Sequence, residues 1–215
     1  MAETGPAALE TTPIREAHRF DVARLDAYCR EAVEGYGGSL EVRQFEGGQS
    51  NPTFLLITSG PGGGKRYVMR KKPPGQLLAS AHQVDREYRV MKALAGTGVP
   101  VPHMYALCED DSIIGTSFYV MEYLEGRVFR DSVIPESTEA ERRALYANLA
   151  ENLAKLHQVD YEKVGLGDFG RPGNYFERQI GRWIKQYRGA QTTDIKAMED
   201  LITYLPVHIP DEPSV

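Results

Sequence analysis

Two neighbouring segments, Arg66-Tyr67-Val68-Met69-Arg70-Lys71 and Val84-Asp85-Arg86-Glu87-Tyr88-Arg89-Val90-Met91-Lys92-Ala93-Leu94, decide the fold. The first is short, strand-like and bounded by turn residues. Strand alternation puts Val68 and Arg70 on one face, Met69 and Lys71 on the other. The second belongs to a predicted helix, roughly Ser80 to Ala95. At about 100° per residue, Val84, Tyr88, Met91, Leu94 and Ala95 share one arc, while Asp85, Arg86, Arg89 and Lys92 fall outside it. Glu87 falls inside the apolar arc, between Leu94 and Met91. A carboxylate there is costly unless a cation meets it. If Val68 faces inward, Arg70 does too, and Glu87–Arg70 is the expected pair. The plainer alternative is an interior ion pair with no ligand.

Working outward, a helix is expected from about Phe20 to Gly35, with Asp21 near its start. Ser39–Glu46, Asn51–Thr58 and Arg66–Lys71 read as three short strands. Pro102–Glu109 and Thr116–Glu122 read as two more, around the polar turn Glu109-Asp110-Asp111-Ser112. After Gly126 the pattern is helical. Thr138 and Glu141 form a capping box that opens a helix with the stripe Leu145, Leu149, Leu153 and Leu156. Another helix runs from about Asn174 to Tyr187, with Phe176, Ile180, Trp183, Ile184 and Tyr187 on one face, and a third covers about Thr193 to Leu205. This order predicts a small sheet-based lobe joined to a helical one.

Composition sets outer limits. The 215 residues carry 41% hydrophobic and 26% charged side chains, enough for a core without disulfide or metal staples. Cys29 and Cys108 match no metal spacing and read as buried free thiols in a reducing compartment. The five histidines are scattered without an HExxH pattern, so no metal site is expected. No apolar run reaches the roughly 18 residues of a spanning helix. Residues 1–19 read as a flexible leader without the features of a signal peptide, and a cytoplasmic location is the expectation. A net charge of −5 argues against general nucleic-acid binding. Yet Lys65 to Lys92 holds eight basic residues against Asp85 and Glu87. Such an island suits either a local anion such as a polyphosphate or a solvated face.

Two glycine-rich segments compete for that anion. Ser59-Gly60-Pro61-Gly62-Gly63-Gly64-Lys65-Arg66 superficially resembles a P-loop. Ser59 stands where the first glycine belongs and Arg66 where Ser or Thr should hold magnesium. It also joins two strands instead of opening a helix, so it reads as a hairpin turn. Glu46-Gly47-Gly48-Gln49-Ser50-Asn51 is the better candidate, because paired glycines let backbone amides approach a ligand closely.

The combination resembles a family. FEGGQSNPTFLL, YVMRKKPPGQLL, SAHQVDREYRVMKAL, VPVPHMY, FYVMEYLEG, LAKLHQVD and FGRPGNYFERQIGRWIKQY span about Phe45 to Tyr187. Together they look like the aminoglycoside phosphotransferase and choline kinase superfamily, and within it the kinase-like domain associated with acyl-CoA dehydrogenases. The resemblance implies an α+β, protein-kinase-like two-lobe fold: a five-stranded antiparallel sheet lobe with one helix, then an incomplete helical lobe. It implies an amino-terminal nucleotide-binding lobe at 20–124 and the first helices of the carboxy-terminal lobe at 125–215.

It also implies roles. Gly47, Gly48, Gln49, Ser50 and Asn51 would close over the phosphates of ATP, and Arg70 would take the place of the usual lysine on the α/β-phosphates. Lys71 is the alternative. Glu87 would orient Arg70. Val68 and Met121 would line the nucleotide site, and the Glu122 carbonyl and Leu124 amide would bond the adenine edge. Arg178 and Trp183 are the candidates near a small-molecule acceptor, with helix packing as the alternative reading.

The family's H-G-D-x-x-x-x-N loop and its later magnesium aspartate are not in the sequence. Asp168-Phe169-Gly170 and His157-Gln158-Val159-Asp160 mimic parts of them with the wrong order or spacing and read as loops. The expectation is therefore a truncated ATP-dependent phosphotransferase acting on a hydroxyl, with the resemblance to dehydrogenase-linked domains suggesting that of a hydroxyacyl thioester. It would be inactive alone, with magnesium ligands lying elsewhere. A non-catalytic nucleotide-binding or interaction module is the competing reading. Helical stripes short of packing partners would favour association or partial disorder; the candidate partners are a second copy of the chain, as a homo-oligomer, or, as the resemblance implies, an acyl-CoA dehydrogenase.

Overall fold

The computed structural model describes residues 11–46, 51–60, 64–73, 83–129, 131–170 and 173–211. Helix α1 (Val22–Ala32) opens on Asp21, whose carboxylate accepts from the amides of Ala23 and Arg24 and so satisfies two orphan donors. Gly35 and Gly38, at φ +70° and +86°, turn the chain into the sheet. Gly38 also lies so close to the Ser59 backbone that a β-carbon would collide with it.

The sheet has six described strands: β1 (Thr11–Thr12), β2 (Ser39–Phe45), β3 (Thr53–Ser59), β4 (Arg66–Lys71), β5 (Met104–Cys108) and β6 (Phe118–Glu122). Their order is β1-β2-β3-β4-β6-β5, with every neighbouring pair antiparallel. The strand beyond the expected five is β1, which lies inside the segment read as a flexible leader. Two residues carry too little pattern to be recognised as a strand. They are held by β2, whose Arg43 donates from Nε to Thr11 Oγ1 at 2.8 Å, while the Arg15 amide donates to Gln44 Oε1 at 3.0 Å.

The two faces of the sheet take different helices. Phe54, Leu56, Tyr67, Met69, Phe118 and Val120 form one core with Leu25 and Cys29 of α1. Helix α2 (Val84–Leu94) covers the other face, where Val84 and Tyr88 pack with Met104 and Tyr119. Cys29 and Cys108 are both free and buried in the α1 core, and burial pushes the Cys29 thiol up to about 12. The expected polar turn at Glu109–Ser112 tightens into a short helix, α3 (Asp111–Ile114), because the Asp110 carboxylate caps the Ser112 amide at 2.8 Å.

Three further helices follow: α4 (Glu139–His157), α5 (Tyr175–Ala190) and α6 (Lys196–Tyr204). The capping box forms as expected, with the Glu141 amide donating to Thr138 Oγ1 and the Thr138 amide to Glu141 Oε2. His157 closes α4 and is not in a loop; a basic residue suits the negative end of the helix dipole. The chain divides into two compact units, one up to Gly165 and one from Leu166. None of α4, α5 or α6 has a buried residue.

Candidate nucleotide site on the α2 face of the sheet

Strand register sorts the two glycine segments. Thr53 pairs with Arg70, and Ile57 pairs with Arg66. The hairpin between β2 and β3 therefore lies at the Arg70 end of β4, and the Lys65 turn lies at the other end of β3, about 20 Å away at the usual strand rise. The Lys65 turn joins two antiparallel strands, its ends tied by the Thr58 amide donating to the Lys65 carbonyl at 2.9 Å. It opens no helix. Gly47, Gly48, Gln49 and Ser50 lie outside the described residues.

Alternation along β4 separates Arg70 from Lys71. Tyr67, Met69 and Lys71 are on the α1 side, Val68 and Arg70 on the α2 side. Lys71 is only 3% exposed, with its ammonium 5.9 Å from the Phe20 ring, and burial lowers its pKa. It is part of the wall beneath α1 and is turned away from α2. Arg70 meets Glu87, with Nε and Oε2 3.0 Å apart and both side chains about one-third exposed. Arg70 Nε is buried and makes no aligned hydrogen bond, so the contact is electrostatic.

Glu87 has two further partners. Asn51 donates from Nδ2 to Oε1 at 2.9 Å, and Tyr119 donates its hydroxyl to Oε2 at 3.0 Å. Asn51 is buried at the end of the β2–β3 hairpin. Tyr119 faces Arg70 directly across the β4–β6 pair. Burial, and after it the Glu87 charge, raises the Tyr119 phenol well above its ordinary pKa, so it remains a donor through the physiological range. The sequence reading missed Tyr119. The signal available was its alternation with Phe118 and Val120, but only the register sets it opposite Arg70.

Next along this face come Val68 and Met121, which pair across β4 and β6. Val68 is buried, and Met121 packs against the Val84, Tyr88, Met104 and Tyr119 cluster. Glu122 folds back on β5, its Oε2 accepting from the His103 amide at 3.0 Å while its own amide donates to the His103 carbonyl at 2.8 Å. Leu124 is exposed. The Arg66 guanidinium lies over the Tyr123 ring at 4.4 Å and ion-pairs with Glu125, tying the segment after β6 back to β4.

The basic island thus disperses over several surfaces: Arg70 on Glu87, Lys71 beneath α1, Arg66 on Tyr123 and Glu125, and Arg89 donating to the Gly165 carbonyl at 2.8 Å. Arg178 and Trp183 lie on α5 in the second unit. Arg178 donates to the Gly173 carbonyl, and Trp183 is exposed. Asp168 and Phe169 sit in a turn, and the Asp160 carboxylate is engaged by Lys163. Among the described residues no three acidic, histidine or cysteine side chains gather where a metal could sit. No described helix is long and apolar enough to cross a membrane.

The profile of the phosphotransferase enzyme family matches residues 41–215. Over 206 residues the chain is 47% identical to acyl-CoA dehydrogenase family member 11 of Gallus gallus, covering 94% of this chain and 26% of that protein. It is 46% identical over 212 residues to the probable acyl-CoA dehydrogenase IBR3 of Arabidopsis thaliana, again covering 94% of this chain and 26% of that one. The chain thus spans about a quarter of the length of these relatives. A solved structure from Ralstonia eutropha, assigned as an aminoglycoside phosphotransferase, superposes with a TM-score of 0.73 at 52% identity over 90% of this chain and 55% of that one. The α+β fold is therefore of the kinase-like type.

Proposed function

Given that the chain belongs to the phosphotransferase enzyme family, we propose that residues 20–124 form the nucleotide-binding part of an ATP-dependent small-molecule kinase. The observation that carries this reading is the Arg70–Glu87 pair on the α2 face, beside the β2–β3 hairpin. A carboxylate at Nε occupies one edge of a guanidinium; the planar fork has a second edge suited to phosphate oxygens. Backbone amides of Gly47 to Ser50 would close over the same phosphates. Three residue steps along β4 separate Tyr67, which pairs with Glu122, from Arg70. At the usual strand rise this is about 10 Å, room for a nucleoside between base and phosphates. Val68 and Met121 would then flank the adenine, with the Glu122 carbonyl and Leu124 amide on its edge.

The acceptor is proposed to be an alcohol. The names of the relatives favour the hydroxyl of a hydroxyacyl thioester, with Arg178 and Trp183 toward it and an acyl-CoA dehydrogenase as the associated activity. The described residues do not fit the magnesium ion that this chemistry uses, since no ligand cluster forms among them. What they contribute is phosphate binding and orientation.

The test is a pair of variants titrated with a non-hydrolysable ATP analogue. Gly48→Val should weaken binding at least tenfold, about 1.4 kcal/mol, because a branched side chain pushes the phosphates away from the amides. A Gly62/Gly63/Gly64→Ser triple should bind like the parent. The reverse outcome would make the Lys65 turn the phosphate loop and end the kinase reading.

A further inference from the structure

Glu87 is held by more than its ion pair. Its Oε1 accepts from Asn51 at 2.9 Å, and its Oε2 accepts from Tyr119 at 3.0 Å and lies 3.0 Å from Arg70 Nε. The partners come from three separate places: the end of the β2–β3 hairpin, the middle of β6 and the end of β4. Asn51 and Tyr119 are 4% and 2% exposed, so neither contact is a loose surface encounter. From this arrangement we propose that Asn51 and Tyr119 are positioning residues. They clamp the Glu87 carboxylate from two sides, and so set the attitude of Arg70 toward the phosphates of a bound nucleotide.

The proposal rests on the nucleotide-binding reading and gives Asn51 a different task from a phosphate donor, since its amide is directed at Glu87. An ion pair alone fixes the distance between two groups but not the plane of the carboxylate. Two neutral donors, one on each oxygen, fix that plane. They also draw negative charge away from the face of Glu87 that meets Arg70, so the guanidinium is less fully neutralised and attracts a phosphate more strongly. Asn51 adds a mechanical link, because it joins the segment just before β3 to a side chain of α2. Tyr119 adds rigidity, because its ring is packed in the cluster beneath α2.

The experiment measures the affinity of the full-length protein for a non-hydrolysable ATP analogue, together with its melting temperature. Tyr119→Phe removes one hydroxyl and keeps the ring, and Asn51→Ala removes one amide. Each should weaken binding about fivefold, the usual weight of one hydrogen bond, and Tyr119→Phe should still unfold in one cooperative transition, only a few degrees below the parent. The same changes are then made in Glu87→Met, which is close to glutamate in size and has no acceptor of that kind. If Asn51 and Tyr119 act through Glu87, their effects vanish there; full additivity overturns the proposal. Should Glu87→Met not fold, Tyr119→Phe decides by itself. A fivefold loss in a variant that is still fully folded at the assay temperature supports the clamp, and parent affinity overturns it. A parent protein that does not bind the analogue defeats the nucleotide reading, and the clamp with it. Parent binding with unaffected variants defeats the clamp alone.

Discussion

Helices α2 and α5 are equally amphipathic in sequence and end in opposite environments. α2 buries Val84, Tyr88 and Leu94, the first two against the sheet. α5 carries Phe176, Ile180, Trp183, Ile184 and Tyr187 at the same helical spacing, and none of them is buried; Trp183 is 64% exposed. The difference lies in the neighbours. Periodicity states which face of a helix would be buried, but burial needs a second layer of complementary shape, and α2 has a sheet where α5 has none among the described residues. The same holds for α4, whose Leu149 and Leu153 stand in water.

The largest expected effect tests the covered side. Phe54 is fully buried between the sheet and α1, and Phe54→Ala should cost about 3–5 kcal/mol through lost burial and the cavity left behind. Denaturant unfolding measures it, and a loss below about 1 kcal/mol would mean that the α1 core is not the stable part of the molecule.

A smaller effect is expected at the partly exposed ion pair. Glu87→Ala should cost about 1–2 kcal/mol, because it strands Arg70 and the donors of Asn51 and Tyr119, with solvent screening limiting the loss. Glu87→Gln should cost less. Equal and negligible effects from both would place Glu87 with the exposed charges of α4 to α6, not with the sheet.

Lys71 sharpens the comparison from the other direction, since it is a charge on the covered side. Its pKa is lowered by burial, so the folded state binds its proton less tightly than the unfolded chain does. Its cost to stability is full below the folded pKa, and it is relieved as pH rises from there toward the unfolded value near 10.4. Lys71→Met should therefore stabilise the protein by about 1 kcal/mol at neutral pH, and that advantage should shrink in alkaline solution. Thermal melts at a series of pH values follow it. An advantage that grows with pH would have the sign wrong.

The smallest effect belongs to the uncovered side. Leu149→Ala and Trp183→Ala should each change stability by no more than about 0.5 kcal/mol, as expected where no core is disturbed. A loss above about 2 kcal/mol in the same unfolding assay would show that these helices are buried in solution, and the contrast between α2 and α5 would disappear.

Much of the fold was legible from local rules. Asp21 and the Thr138–Glu141 box placed two helix starts, alternation in β4 put Val68 and Arg70 on the face opposite Met69 and Lys71, and Glu87 announced itself as a carboxylate inside an apolar arc. β1 was not legible, because two residues carry no periodicity and their pairing depends on Arg43 and Gln44 of a distant segment. Sequence alone determined the types of the longer elements, the faces that seek burial and the demand that Glu87 meet a cation, since each follows from dihedral preferences, side-chain period and the cost of an unpaired charge. Tertiary structure decided which cation answers, which glycine turn stands beside it, and that Asn51 and Tyr119 share the same carboxylate. Those choices depend on strand register, which brings together residues far apart in the chain, and a slip of one residue would exchange the two faces of β4 and put Lys71 where Arg70 now stands.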